Sequence, residues 1–241
     1  MKEESYQGKF IVVEGPDASG KQTQTERIAE WLRESNYSRI SERKEENIIE
    51  KMPGTYPGDS GDSIENGVWR LSFPTYTETA GGRVVDAYLN GRLGDRGELE
   101  ITDIVDIYAA DRKQFKVVIR DYLKSGGIIV CDRYREANLI HQLVDFEGSE
   151  WYNMLEKVKE SDNDLPGADE IIYLDISPEE AIERMQDRER DMHELDKSYM
   201  EKSNRNGLKV AEYENWEIID GERSKKEIES DIKRFLKAKV L

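Results

Sequence analysis

The chain has 241 residues, enough to bury one substantial core without disulfides or metals and consistent with a single domain over 1–241. Charged residues make up 37% of it, and 36 Lys and Arg stand against 52 Asp and Glu, a net charge of −16. That balance excludes a nonspecific nucleic-acid clamp, which needs clustered cations. A single cysteine, Cys131, excludes an internal disulfide and, with only His141 and His193 beside it, a Cys/His zinc site.

The opening segment, MKEESYQGKF, carries acids where a secretory signal needs an apolar stretch. No apolar run exceeds four residues, as in Phe10 to Val13 and Ile128 to Cys131, against roughly 20 needed to span a bilayer. The expectation is a soluble, cytoplasmic protein that uses neither membrane nor nucleic acid as a partner.

Phe10 to Glu14 reads as a short buried strand, and Gln22 to Glu34 as the helix after it, with Ile28, Trp31 and Leu32 on one face. Residues 35–68 break the pattern. Pro53, Pro57, Gly54, Gly58, Gly61 and Gly67 lie there among mixed charges, so this segment reads as a surface insertion, either a loop or a partner-binding element, with a short helix near Ser41 to Lys51. Val68 to Phe73 is a second strand, stopped by Pro74. Asp103 to Lys124 predicts one long helix ending at Gly126-Gly127. Ile128 to Cys131 and Ile171 to Leu174 are apolar runs of the kind covered on both faces in a parallel sheet, and Trp216 to Ile219 repeats the pattern with Glu217 interposed. Strands alternating with helices predict an α/β fold with helices on both faces of the sheet.

Gly15-Pro16-Asp17-Ala18-Ser19-Gly20-Lys21 lies between the first strand and its helix. In this G-x-x-x-x-G-K spacing the glycines let backbone N–H groups converge on phosphate oxygens. The helix N-terminus adds its positive dipole end, and Lys21 a point charge. Gln22 replaces the usual Ser or Thr that ligates Mg²⁺, with Thr23 directly after it. Asp132-Arg133-Tyr134 follows the third strand, at the carboxyl end where parallel sheets bind ligands. Asp132 is suited to hold Mg²⁺ through water, and Arg133 to grip a phosphate; an ion pair capping the strand is the structural alternative.

The phosphate loop, Phe73-Pro74-Thr75-Tyr76, Tyr108-Ala109-Ala110-Asp111-Arg112, Asp132-Arg133-Tyr134 with Asn138, and the arginine-rich segment after Pro178 resemble, in order and spacing, the thymidylate kinase family. The resemblance spans almost the whole chain apart from 35–68. It implies a P-loop kinase fold with a five-stranded parallel sheet and a helical lid, here about 184–207. It also implies phosphoryl transfer from MgATP to dTMP by a homodimer.

On the same resemblance, Asp17 meets the sugar 3′-hydroxyl, and Phe73 and Pro74 wall the nucleotide pocket. Tyr108 stacks on thymine, Arg112 reaches a base carbonyl, Asn138 meets a ring nitrogen, and His141 lies near the sugar's 2′ side. Arg133 holds the acceptor phosphate. Arg184 packs on the donor's adenine, Arg188 reaches the transferred phosphoryl, and Glu194 is a metal-shell carboxylate. The phosphate loop carries Asp17-Ala18 and no arginine, so the lid must supply the catalytic one. Asn204 and Gly207 stand where the family commonly has arginine and tyrosine. Kinases for another deoxynucleoside monophosphate, and a nucleotide-binding module with little turnover, are the alternatives.

Overall fold

Strand β1 (Lys9–Glu14) turns Phe10 and Val12 to one side of a sheet and Ile11 and Val13 to the other, and all four are fully buried. That two-sided burial is why the run is apolar at every position. The computed structural model describes residues 6–54, 62–94, 97–185 and 197–240. Arg188 and Glu194 lie outside them.

After β1 come α1 (Lys21–Glu34), α2 (Glu42–Ile49), β2 (Ser63–Glu65), β3 (Val68–Ser72), α3 (Ala80–Leu89), α4 (Ile101–Lys113), α5 (Lys116–Lys124) and β4 (Ile128–Asp132). The chain continues through α6 (Glu136–Gln142), α7 (Gly148–Ser161), β5 (Glu170–Asp175), α8 (Pro178–Arg184), α9 (Lys197–Tyr213), β6 (Glu217–Asp220) and α10 (Lys225–Lys239). The sheet order is β2-β3-β4-β1-β5-β6. Five of these strands are parallel, as expected from sequence; the sixth, β2, pairs antiparallel with β3 at the edge. It comes from the 35–68 insertion. Asn66 and Gly67, both at positive φ (49° and 75°), make the two-residue hairpin that joins β2 to β3.

On one side of the sheet Phe10, Val12, Trp69, Leu71, Ile129 and Cys131 pack against Ile119, Tyr122 and Leu123 of α5. On the other, Ile11, Val13, Val130, Ile172 and Leu174 pack against Ile28 and Leu32 of α1 and Ile228, Ile232 and Leu236 of α10. The single helix expected over 103–124 is broken at Gln114–Phe115. The two pieces bury different faces: Ile104, Val105, Ala109, Asp111 and Arg112 of α4, but Val118, Ile119, Tyr122 and Leu123 of α5. One straight helix cannot point both stripes at their partners, so the chain tightens into a Phe115 N–H to Arg112 carbonyl bond of 3.0 Å and restarts.

Adjacent strands β1 and β4 send the chain in opposite directions, β1 toward β3 and β4 toward β5. A crevice opens at such a point beyond the strands' carboxyl ends. The insertion is fastened on the far side of the sheet's edge, where one oxygen of Glu45 in α2 accepts from the Tyr122 hydroxyl (2.8 Å) and from the Gly67 N–H (2.9 Å). Glu45→Ala strands that buried hydroxyl and should cost about 1–3 kcal/mol in chemical denaturation. Adding Tyr122→Phe to Glu45→Ala should recover part of the loss, and strict additivity would show the two groups to be uncoupled.

Candidate active site

The loop after β1 is shaped by two glycines. Gly15, at φ 148°, passes so close to β5 that a Cβ would lie 2.6 Å from the Leu174 carbonyl oxygen, and Gly20, at φ 91°, forms the N-cap of α1. Lys21, the first residue of that helix, is 5% exposed and folds back so that Nζ donates to the carbonyls of Gly15 (2.9 Å) and Pro16 (2.7 Å). Burial and the nearby Arg133 charge push its amine down to about 8, against Asp17, Asp132 and Glu14, which favour the cation. Ser19 is buried, with a hydroxyl that meets no partner among the described residues. Gln22 is exposed into the adjoining cavity, and Thr23 follows in the first turn of α1.

Arg133 directly follows β4. Its N–H donates to the Val13 carbonyl (3.1 Å), extending the β1–β4 ladder by one residue, and its backbone takes a left-handed φ of 62°. That turn brings the guanidinium onto the Asp17 carboxylate as a direct ion pair. Burial alone would raise the Asp17 carboxyl, but the charges of Arg133 and Lys21 hold it well below the usual carboxylate range. Burial likewise opposes charge on Arg133, and Asp17 and Asp132 outweigh it.

From this pair a cavity of about 550 Å³ extends outward, a size usual for small-molecule sites. Its near end carries Asp17, Gln22, Asp132 and Arg133, and its far end Phe73, Pro74, Tyr108, Arg112, Asn138 and His141. All ten were expected from sequence at one nucleotide-binding site, and they line one space. Arg184 lies outside this cavity, across the phosphate loop, where it donates to the carbonyls of Ala18 (3.3 Å) and Gly221 (3.1 Å) and pairs with Glu180 (2.7 Å).

Several participants carried no motif. Asp162, just past α7, is 2% exposed and pairs with Arg112 at 2.5 Å. Asp111 sits inside the 108–112 string and lines the same cavity, but its carboxylate is engaged by the protein itself. Its carboxylate accepts from the Thr75 N–H (2.7 Å) and the hydroxyls of Thr75 (2.6 Å) and Thr79 (3.1 Å), tying α4 to the Phe73-Pro74 segment. Tyr199 of α9 lines the cavity, and its hydroxyl lies 3.3 Å from both the ring Nδ1 and the carbonyl oxygen of His141.

The two departures from the family pattern have local reasons. A Cβ at Gly207 would lie 2.4 Å from the Tyr173 hydroxyl, so a side chain there would have to displace Tyr173, and the Asn204 amide donates to the Ile176 carbonyl. Next to them, Asn206 accepts from the Trp151 indole (2.7 Å) and donates to the carbonyls of Leu139 (2.9 Å) and Ile140 (2.7 Å), fastening α9 to α6 and α7.

Glu14, the last residue of β1, is fully buried beneath the loop. One oxygen accepts the Tyr134 N–H at 2.9 Å, and the other meets no partner among the described residues. Burial, with the Glu136 charge adding and the Tyr134 bond opposing, pushes its carboxyl up to about 8. The folded protein therefore keeps a proton that the unfolded chain releases near 4.5, and Glu14 makes the fold progressively less stable as pH rises through that window. Glu14→Gln keeps an acceptor and does not titrate. The stability of the parent relative to Glu14→Gln should fall by on the order of 1 kcal/mol per pH unit between those limits, and a difference independent of pH would show that Glu14 ionises normally.

Comparison with known proteins bears directly on this geometry. A family model described as thymidylate kinase matches residues 68–232. A probable thymidylate kinase from Pyrococcus abyssi is 28% identical over 239 residues, covering 97% of this chain and 98% of that protein. The thymidylate kinase of Caenorhabditis elegans is 28% identical over 185 residues, 76% of this chain and 70% of its own length. Among solved structures, a thymidylate kinase from Candida albicans superposes with a TM-score of 0.69 at 18% identity, over 97% of this chain and 93% of that one.

Proposed function

Because the chain belongs to the thymidylate kinase family, we propose that the cavity beside the phosphate loop is its acceptor site and that the residues assigned from sequence act there. The reaction is transfer of the γ-phosphoryl group of ATP to dTMP, giving dTDP and ADP. One observation carries the site assignment: the Asp17–Arg133 pair stands where the phosphate loop and the cavity meet. A monophosphate seated with its base against Tyr108 presents its phosphate to Arg133 and, beyond it, to the donor held by the loop.

An oxygen of the dTMP phosphate attacks the γ-phosphorus, and the bond to the β–γ bridging oxygen breaks as ADP leaves. A phosphate monoester oxygen is already a competent nucleophile, so no general base is required. The protein's work is positioning and neutralising the spreading negative charge. Lys21 trades two loop carbonyls for donor phosphate oxygens, Arg133 restrains the acceptor phosphate, and Arg184 flanks the donor's adenine. Arg188 supplies the lid cation that the loop, with Asp17 and Ala18, lacks. Asp17 has the sugar 3′-hydroxyl as its partner, and His141 closes the 2′ side.

Mg²⁺ fits the donor end. Asp132 carries a buried Oδ1 that no described residue donates to, and among the described residues no group of three or more His, Cys, Asp or Glu could hold an ion by itself. An ion carried by the donor phosphates, and held through water by Asp132 with Gln22 nearby and Glu194 from the lid, would neutralise charge on the phosphate oxygens. A cytoplasmic homodimer is the form in keeping with this reading. Among the described residues no helix is long and apolar enough to cross a membrane.

The test is coupled ADP release with dTMP, dUMP, dCMP, dGMP and AMP at fixed MgATP and salt. dTMP should show the highest kcat/KM. dUMP should be lower by about 1–3 kcal/mol for the missing methyl, and dCMP lower still because its amino group meets the Arg112 donor. Preference for dGMP or AMP would overturn the acceptor assignment. In the same assay Gln22→Thr should lower the Mg²⁺ concentration for half-maximal rate, and an unchanged or higher requirement would remove Gln22 from the metal's surroundings.

A further inference from the structure

Arg112 and Asn138, the two polar groups at the base end of the cavity, share one buried acceptor. Asp162 takes Arg112 side-on: Nη2 lies 2.5 Å from Oδ2 and Nε 3.4 Å from Oδ1. This bidentate grip fixes the plane of the guanidinium. It uses the Nε/Nη2 edge, and no described residue accepts from Nη1, while Arg112 lines the cavity. The Asn138 amide nitrogen lies 3.5 Å from the same Oδ2, at the long end of a hydrogen bond, and 3.4 Å from the Val105 carbonyl. Two acceptors on its nitrogen side assign the amide orientation. The amide oxygen is then the atom left for the cavity, and no described residue donates to it.

A carboxylate only accepts. By standing behind both readers, Asp162 fixes which edge of the arginine, a donor in any orientation, turns to the cavity and, with the Val105 carbonyl, takes the asparagine's nitrogen so that its acceptor is left. A pyrimidine with a carbonyl beside a ring N–H matches that pair. Cytosine, with an amino group beside an unprotonated ring nitrogen, opposes it at both atoms. We propose that Asp162 is a positioning residue that sets base specificity, holding Arg112 and Asn138 in a donor–acceptor order that accepts thymine and uracil and rejects cytosine. The inference rests on the dTMP reading above. The pair also matches the Arg112 charge with a carboxylate, so this cation is not loose and drawn toward Asp17 or Asp132.

The experiment measures kcat/KM for dTMP and dCMP, with the KM for ATP as a reference, in the parent, Asp162→Asn and Asp162→Glu. In the parent, a clear preference for dTMP is the starting condition; absence of dTMP phosphorylation would overturn the functional reading and this inference together. Asp162→Asn keeps the size but can donate, so the dTMP-to-dCMP ratio should fall about tenfold or more, through the acceptor KM and with the ATP KM unchanged. Asp162→Glu keeps the charge and should retain part of the ratio. A merely structural role would lower kcat/KM for both acceptors together and leave the ratio intact, and that result overturns the inference while dTMP kinase activity stands. If Asp162→Asn does not fold, Asp162→Glu decides. Its carboxylate is displaced by one methylene, so the ratio should drop at least about threefold, and a ratio equal to the parent's overturns the proposal.

Discussion

The hydrogen bond from the Arg133 N–H to the Val13 carbonyl is the contact on which the site's layout depends. It carries the β1–β4 ladder one residue past β4 and places the turn after β4 beside the loop after β1. A left-handed residue there is uncommon for a side chain with a Cβ, and here it aims a guanidinium at Asp17. Everything that meets at the cavity's near end follows from two adjacent parallel strands ending level with one another.

The second constraint is electrostatic. A chain of net charge −16 must attract two anionic nucleotides. Among the described residues, the cations assigned to them are not left loose. Arg133 is matched to Asp17, Arg112 to Asp162 and Arg184 to Glu180, while Lys21 rests on loop carbonyls. Each pairing keeps a buried or half-buried charge compensated before a ligand arrives. On the proposed assignments, binding of phosphate at Arg133 and Lys21 is an exchange of partners. On the same assignments the pairing at Arg112 need not be exchanged, since a base carbonyl is neutral and asks only for the unused edge. Substrate capture then depends on a local field inside a cleft, which focuses more sharply than net charge suggests.

Much of this was legible in the sequence because the relevant chemistry is local. The apolar runs of β1, β4 and β5, the glycine spacing at 15–21 and the Asp132-Arg133-Tyr134 string each declare themselves within seven residues. The Asn66-Gly67 hairpin is equally local, yet proline, glycine and charge crowd around it, so within the insertion the short helix near Ser41 to Lys51, present as α2, is readable from sequence and β2 is not. The break at Gln114–Phe115 has no glycine or proline to mark it; it arises because α4 and α5 bury different stripes, a fact of tertiary placement. Asp162 and Tyr199 belong to no motif. An aspartate after a helix and a tyrosine within one acquire meaning only from neighbours 50 and 58 residues away. Glu14 was visible as a strand's last residue, but nothing in a sequence says that one of its oxygens lacks a partner. Arg188 and Glu194 remain assignments by family likeness, outside the described residues.

Asn206 ties α9 to the backbone of α6 with two carbonyl bonds and to α7 through the Trp151 indole. Helix α6 carries Asn138 and His141, and α9 carries Tyr199, so these three bonds fasten two sides of the cavity to each other. A rearrangement that kept these three bonds would have to pivot upstream of α9 or swing the acceptor wall with it. In engineering language, the Asn206 side chain is a rivet: motion of α9 relative to α6 and α7 must either break its three bonds or carry the far end of the cavity along.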